Sequence, residues 1–155
     1  MSELRIESFN EVLKPWFGRL NRVWLERYFV VEPIDETVLD HPEASILEAG
    51  GHIVFALRGE QVLGTCALKY HGDGEYELTK MAVADEAQGQ GVGRFLFDAV
   101  IEKYRALCGR RLFLESHDSL TPAITLYETG GFVHVPRPGG PSPYERANVY
   151  MVFKK

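Results

Sequence analysis

The sequence contains little cysteine and no arrangement typical of a disulfide framework or a structural metal site. Its 155 residues include two cysteines, Cys66 and Cys108, which lie far apart and outside any CxxC motif. Without a visible export signal, we expect both thiols to stay reduced. The five histidines form no helical pair and no cluster with the cysteines, so no metal site is expected.

The sequence also lacks positive net charge, a long apolar run and a secretory leader. The net charge of −5 argues against a nucleic-acid partner and gives no reason to expect a membrane partner. No apolar run approaches the roughly 18 residues of a membrane span. Residues 1–5 do not form the cationic start of a signal peptide. We therefore expect a soluble, cytoplasmic protein with one domain over residues 1–155.

Periodicity predicts strands that alternate with helices along the chain. Strands are predicted at 4–9, 52–58, 62–70, 75–84, 111–116, 132–135 and 149–154. Helices are predicted at 13–28, at 92–107 and from 121 to the Gly130-Gly131 pair, with shorter helical segments near Asp35 and Pro42. This order predicts an α/β sandwich, a mixed sheet with helices on its faces.

A glycine-rich segment joins the strand at 75–84 to the helix at 92–107, and it reads Gln88-Gly89-Gln90-Gly91-Val92-Gly93-Arg94. Glycines let an anion approach the backbone closely, and the first N–H groups of a helix are unpaired at its positive end. The segment therefore suits a pyrophosphate. It fits neither the P-loop nor the dinucleotide fingerprint. Taken alone, it is also consistent with a helix start that binds no ligand.

Two motifs resemble those of the GNAT superfamily of N-acetyltransferases. Gln88, Gly91 and Gly93 match its Q/R-x-x-G-x-G/A motif, and residues 123–132 match its AxxLYxxxGF pattern. The resemblance is firm over residues 51–135. The surroundings of Trp24 and Gly50 also resemble a bacterial subgroup that is sometimes fused to MarR-type regulators, a domain for which this chain has no room.

The resemblance implies a mostly antiparallel sheet of about seven strands with helices on both faces. It implies acetyl transfer from acetyl-CoA to an amine, and dimers are common in the superfamily. The residues implied to hold the pyrophosphate are Gln88, Gly89, Gln90, Gly91, Val92, Gly93 and Arg94. The main chain of Met81 and Val83 would pair with the pantetheine arm, and the amide of Met81 or Ala82 would face the acetyl oxygen. Leu120 stands where the superfamily often has an asparagine, so a side-chain contact to coenzyme A is not expected there.

Acetyl transfer to an amine requires a base for the ammonium and a proton donor for the departing thiolate. Glu77 is the predicted base, with Glu75 as the weaker candidate. Period-two alternation places Glu77 on one strand face with Thr79, Met81 and Val83. The alternative is a solvated glutamate that pairs with a neighbouring lysine.

Tyr127 is the predicted acid, because the tyrosine of the AxxLYxxxGF pattern hydrogen-bonds the sulfur in similar proteins. The alternative is a core aromatic on the same helical stripe as Ala123 and Ile124. His117, in the loop after a strand, could relay a proton or be incidental. The two cysteines have no neighbouring histidine in sequence, so a covalent route is not expected.

The resemblance places the acceptor between the early helices and the loop at 136–148, which is rich in proline and glycine. That loop forms either a wall of the site or a plain surface connection. The predicted acceptor-binding residues are Arg19, Trp24, Arg137 and Tyr144, with Arg22 and Arg146 also available. Free arginines would suit a small acid such as an amino acid, whereas an acidic groove would suit basic protein tails. A third alternative is a domain that binds acyl-CoA without catalysis.

Overall fold

Seven strands form one sheet in the computed structural model, which describes residues 3–154. The strands are β1 (Leu4–Ser8), β2 (His52–Arg58), β3 (Gln61–Gly72), β4 (Glu75–Val83), β5 (Arg111–Ser116), β6 (Phe132–His134) and β7 (Val149–Phe153). Their order across the sheet is β1-β2-β3-β4-β5-β7-β6. Only β4 and β5 are parallel, and the other neighbours are antiparallel. The predicted mixed, mostly antiparallel sheet is thus confirmed.

Four α-helices connect the strands: α1 (Lys14–Tyr28), α2 (Pro33–Asp40), α3 (Val92–Ala106) and α4 (Thr121–Gly130). Proline occupies the first turn of α1, α2 and α4, where its fixed φ suits the helix and no intrahelical hydrogen bond is lost. The helix predicted at 13–28 is continuous. The segment after Pro42 is a single π-helical turn, Glu43–Leu47.

The helices cover both faces of the sheet. Tyr76 of β4 packs against Tyr104 of α3, with ring centroids 5.9 Å apart. The next residue, Glu77, borders a cavity together with Asn21 and Leu25 of α1. Because adjacent strand residues point to opposite faces, α3 and α1 lie on opposite sides of the sheet. Among residues 3–154, no helix combines the length and apolar character needed to cross a membrane.

Strand β4 contains a bulge at Lys80 that corrects one prediction. Lys80 has a left-handed backbone with φ of 55°, and the pairing with β3 shifts there: Thr79 faces Ala67, and Ala82 faces Thr65. Two residues of β4 therefore oppose one residue of β3. The bulge reverses the alternation, so Val83 does not share a face with Glu77 and Thr79. The prediction that Glu77, Thr79, Met81 and Val83 share one face of the strand is therefore wrong for the residues after Thr79.

A buried ionic group, here called the Asp35 cluster (Glu32, Asp35, Lys80 and Arg146), joins α2, β4 and the loop before β7. Lys80 Nζ donates to Asp35 Oδ1 at 2.8 Å, and these side chains are 5% and 0% exposed. Arg146 donates to both oxygens of Asp35, at 2.7 and 2.9 Å, and to Glu32 at 2.9 Å. Asp35 also accepts the backbone N–H of Glu32 in a capping box.

The two cations determine the ionisation of Asp35. Burial alone would raise the pKa of its carboxyl group, but the hydrogen bonds from Arg146 and Lys80 outweigh burial and hold the pKa at about 2. The carboxyl group of Asp35 therefore binds a proton more weakly in the folded state than in the unfolded chain. Asp35 contributes stability above its ordinary pKa, and this contribution is lost as the pH falls towards 2.

Replacing Asp35 by Asn should lower the free energy of unfolding by about 3–5 kcal/mol, because it leaves buried cations without their counter-charge. Urea unfolding followed by tryptophan fluorescence measures the change. The control is Asp40→Asn, which removes an exposed carboxylate that pairs with Arg22 and should cost less than about 1 kcal/mol. Equal small losses in both variants would show that the Asp35 cluster contributes little to stability.

Candidate active site

Strands β4 and β5 separate after a short paired stretch. Their register covers only Glu75–Glu77 of β4 against Arg111–Phe113 of β5. A cavity of about 430 Å³ lies beyond this point. It is lined by the second half of β4, the end of β5, and residues of α1, α4 and the loop before β7. The gap leaves backbone groups of β4 without a neighbouring strand on that side.

The glycine-rich turn forms one end of this cavity. Gly89 and Gly91 have φ of 76° and 81°, and Gly91 precedes the first turn of α3. A Cβ on either glycine would meet nothing within 4 Å, so the backbone conformation, rather than lack of space, calls for glycine there. The first turn of α3 has no acidic residue and no side-chain cap. Its free N–H groups therefore suit a phosphate group.

The predicted phosphate-binding residues divide into two sets. Gln88, Gly93 and Arg94 line the cavity, whereas Gly89, Gln90, Gly91 and Val92 do not border it directly. A Cβ on Gly93 would stand 3.9 Å from its nearest atoms, on Leu126 and Val83, so the open side of this residue can admit a ligand. Gln90 accepts a hydrogen bond from Arg58 and Val92 is buried.

The β4 residues predicted to contact coenzyme A also divide. Met81 and Val83 line the cavity, and Ala82 is buried away from it. The Val83 carbonyl accepts a hydrogen bond from Gln88 Nε2 at 3.1 Å. Although the bulge turns Val83 and Glu77 to opposite faces, both reach the cavity because it runs along the free edge of β4. The bulge also removes one β4 residue from the ladder with β3.

Glu77 is buried beside a histidine that sequence reasoning missed. Its side chain is 9% exposed, and Oε1 lies 2.9 Å from Nε2 of His71. His71 also packs against Phe113, with ring centroids 5.2 Å apart. Lys80, which with Lys69 was a possible ionic partner of Glu77 in the alternative interpretation, pairs with Asp35. The β3–β4 hairpin register carried a signal for this pair: Glu77 faces Lys69, which makes His71 its diagonal neighbour.

The weaker candidate for the base lies elsewhere. Glu75 accepts a hydrogen bond from Arg111 at 2.7 Å and does not line the cavity. Of the two β4 glutamates, only Glu77 lines the cavity.

Tyr127 packs among core aromatic residues and also borders the cavity. Its ring packs against Phe97 and Phe132, with centroids 6.2 and 6.1 Å away, and the residue also lines the cavity. Burial raises the pKa of its hydroxyl, so the group keeps its proton throughout the physiological range. It is therefore a hydrogen-bond donor at all relevant pH values.

The other polar candidates are a histidine at the cavity and two cysteines outside it. His117 lines the cavity, exchanges a hydrogen bond with Ser119 at 2.7 Å and packs against Phe29. Cys66 is fully buried, which raises the pKa of its thiol, and Cys108 is exposed after α3. Neither cysteine lines the cavity.

Of the predicted acceptor residues, Trp24 and Tyr144 line the cavity and Arg19 and Arg137 do not. Arg19 stacks on Trp16, 4.5 Å from the ring centroid. Arg137 pairs with Glu115 and with carbonyl groups of its own loop.

Arg22 and Arg146, the two further arginines considered for the acceptor, are paired with carboxylates. Arg22 binds Glu36 and Asp40 on the outer side of α1 and α2. Arg146 lines the cavity, but it belongs to the Asp35 cluster.

Two known proteins that are similar in sequence are named as acetyltransferases. A mycothiol acetyltransferase of Geodermatophilus obscurus is 34% identical over 80 residues, which are 48% of this chain but only 26% of that protein. A Bacillus subtilis protein assigned as a ribosomal protein bS18-alanine N-acetyltransferase is 27% identical over 139 residues, which are 88% of this chain and 80% of the relative.

Solved structures share the whole fold. A GNAT acetyltransferase from Staphylococcus aureus superposes with a TM-score of 0.86 at 20% identity, covering 97% of this chain and 98% of the other. An acetyltransferase from Salmonella typhimurium, solved with acetyl-CoA, gives a TM-score of 0.75 at 16% identity, covering 97% and 93%. At these identities the likeness shows the fold.

The decisive match is to a family model. The model of the Acetyltransferase (GNAT) family matches residues 13–132, a segment that contains the glycine-rich turn, Glu77 and Tyr127. The chain belongs to the Acetyltransferase (GNAT) family and is an acetyl-CoA-dependent acetyltransferase.

Proposed function

We propose that this enzyme transfers the acetyl group of acetyl-CoA to a primary amine, which attacks it directly while both substrates are bound. One observation carries the proposal. A single cavity is bordered by a buried carboxylate, a tyrosine that retains its proton and an uncapped helix start. These are the three groups needed to deprotonate an amine, to stabilise a leaving thiolate and to hold a pyrophosphate.

The residues at the helix start fit coenzyme A. We assign the pyrophosphate to the backbone of the turn from Gln88 to Arg94, which the left-handed Gly89 and Gly91 shape and which meets the cavity at Gln88, Gly93 and Arg94. We assign the pantetheine arm to Met81 and Val83, on the edge of β4 that faces β5. The pairing with β5 ends at Glu77, so this edge has no neighbouring strand there. An amide of Met81 or Ala82, next to the bulge, is the proposed donor to the acetyl oxygen.

Glu77 is the proposed base. An ammonium group has no lone pair, so the acceptor must lose a proton before it attacks. Glu77 lies in the cavity, and His71 holds its carboxylate from the side of β3. We propose that His71 fixes the orientation of this carboxylate. Its half-buried ring, 32% exposed, also connects Glu77 to solvent.

Tyr127 is the proposed donor to the leaving sulfur. A raised hydroxyl pKa suits a hydrogen-bond donor better than a group that gives up its proton, because an ordinary thiol has a pKa of about 8.5. Because its hydroxyl stays protonated, Tyr127 can stabilise the developing thiolate by donating a hydrogen bond. It does not have to transfer its proton completely to the sulfur, which would be unfavourable.

The release of thiol from acetyl-CoA tests the proposal directly. The panel contains amino acids, polyamines, aminoglycosides and basic peptides, with a blank without acceptor that accounts for Cys66 and Cys108. Release with one class would confirm an amine acetyltransferase. Binding of acetyl-CoA with no release on any amine would contradict the proposal and favour a domain that binds acyl-CoA without catalysis.

Gly93→Ala separates coenzyme A binding from folding. A methyl group has room at this position, so the free energy of unfolding should be unchanged or higher by up to about 1 kcal/mol. The same methyl group should weaken acetyl-CoA binding at least about tenfold, because it occupies the side on which the backbone meets the phosphates. Calorimetric titration measures the affinity and thermal unfolding the stability. An unchanged affinity would remove the turn from the binding site.

Glu77→Gln should lower kcat by about 10²- to 10⁴-fold, because the carbonyl that replaces the carboxylate cannot take the proton. The defect should shrink as the pH rises, since more of the amine is then neutral, and acetyl-CoA affinity should not change. Glu75→Gln is the matched control, on the same strand but outside the cavity, and should retain activity. A pH-independent kcat near that of the wild type would exclude Glu77 as the base.

Tyr127→Phe should lower kcat at least about tenfold. The ring contacts with Phe97 and Phe132 remain, so the free energy of unfolding should change by less than about 1 kcal/mol. Steady-state kinetics and urea unfolding of one preparation distinguish the roles. A normal kcat with a large loss of stability would leave Tyr127 as a core residue only.

A further inference from the structure

The charged groups around the acceptor end of the cavity are already paired. We use this name for the part lined by α1 and by the loop before β7: Asn21, Trp24, Leu25, Tyr28, Phe29, Tyr144, Arg146 and Ala147. Arg146 donates to Asp35 and to Glu32, and Lys80 donates to Asp35. The Asp35 cluster therefore contains two positive and two negative charges. It has no spare positive charge for a ligand.

Glu77 leaves the surroundings of this end negative. Glu115, the other carboxylate on the cavity wall, is paired with Arg137. Glu77 has only the imidazole of His71 as a hydrogen-bonding partner among the described residues. Counted over the carboxylates, lysine and arginines named here, the balance is one negative charge. Such a site attracts an ammonium group and disfavours a carboxylate, which would lose its hydration without meeting a free cation.

Four aromatic side chains, those of Trp24, Tyr28, Phe29 and Tyr144, also line this end. The ring of Trp24 lies 5.4 Å from that of Tyr28 and 5.9 Å from that of Phe29, measured between centroids. Tyr144 borders the cavity from the opposite loop, where Lys80 and Arg146 each approach its ring to 4.6 Å. An aromatic wall buries an apolar body and also favours a nearby cation.

We infer that the acceptor is a small primary amine with an aromatic or aliphatic body and no free carboxylate beside the amine. This inference rests on the proposed function and narrows its acceptor class. It departs from the amino acid that free arginines would have favoured, because each of the four arginines considered for that role is paired with a carboxylate or stacked on a tryptophan.

Matched acceptors that differ only in the carboxylate test this inference. The pairs are phenethylamine with phenylalanine, tryptamine with tryptophan, and isoamylamine with leucine. Each decarboxylated member should show a kcat/KM at least about tenfold higher than its amino acid. The amine of the decarboxylated member is the more basic of the two, so its smaller neutral fraction works against the expected result.

Two isosteric variants connect the preference to the Asp35 cluster. Glu32→Gln removes one negative charge from the partners of Arg146, while its amide oxygen can still accept one of the two hydrogen bonds that Glu145 and Arg146 donate to Glu32. It should reduce the ratio of kcat/KM for phenethylamine to kcat/KM for phenylalanine by about threefold or more. The positive charge of Arg146 is then less fully neutralised and can attract the carboxylate of phenylalanine. Glu36→Gln is the control, because Glu36 pairs with Arg22 outside the cavity, and its ratio should equal that of the wild type.

The outcomes are distinct. An amino acid that equals or exceeds its decarboxylated partner would overturn the inference and leave the proposed function intact. Activity confined to acceptors outside these pairs, such as basic peptides, would also overturn it. A ratio that changes equally in both variants would refute the part assigned to the cluster. No transfer to any amine, with acetyl-CoA still bound, would instead be a failure of the proposed function.

Discussion

Asp35 of α2 binds both Lys80 and Arg146, and it thereby joins the two parts of the chain that carry these cations, β4 and the loop before β7, both of which line the cavity. Lys80 belongs to the bulge of β4, Asp35 to the first turn of α2, and Arg146, which shares Asp35, to the loop before β7. The loop therefore has a fixed attachment to the sheet and is a wall of the site. Removing a buried partner of this kind is costly because the remaining charges cannot regain water. The same pairing decides which charges stay available to a ligand.

The chemistry of the site follows from these constraints. Among the described residues, Glu77 is the carboxylate on the cavity wall whose hydrogen-bonding partner is the imidazole of His71 rather than a lysine or arginine. Tyr127 lies in a region of packed aromatic rings, where burial holds its proton in place. In the proposed mechanism Glu77 would face the amine and Tyr127 the sulfur, which is the distribution of charge and protons that acetyl transfer to an amine requires.

Much of the fold and part of the site could be predicted from sequence. The seven strands and the long helices α1 and α3 were readable because their apolar periodicity extends over many residues. The glycine-rich turn was readable because left-handed backbone at a helix start calls for glycine. Gln88, Gly93, Glu77 and Tyr127 do border one cavity.

The remainder depends on contacts between distant residues. The bulge at Lys80 was not predictable, because a lysine carries no local signal for positive φ, and it reversed the face of Val83. The pairing of Arg146 with Asp35 joins positions 111 residues apart, and single-sequence patterns do not encode such distances. His71 was within reach, because the hairpin register places it diagonally to Glu77.

The gap between β4 and β5 has a topological consequence. A continuous sheet is a partition that keeps ligands on its two sides apart. Here the sheet has a gap between β4 and β5, bordered by Glu77 on the side of α1 and by Val83 on the side of α3. Under the proposed function, coenzyme A and the acceptor could approach from opposite sides of the sheet and meet along this gap. The place of the proposed reaction would then be set by where two backbones diverge, a property that belongs to no single side chain.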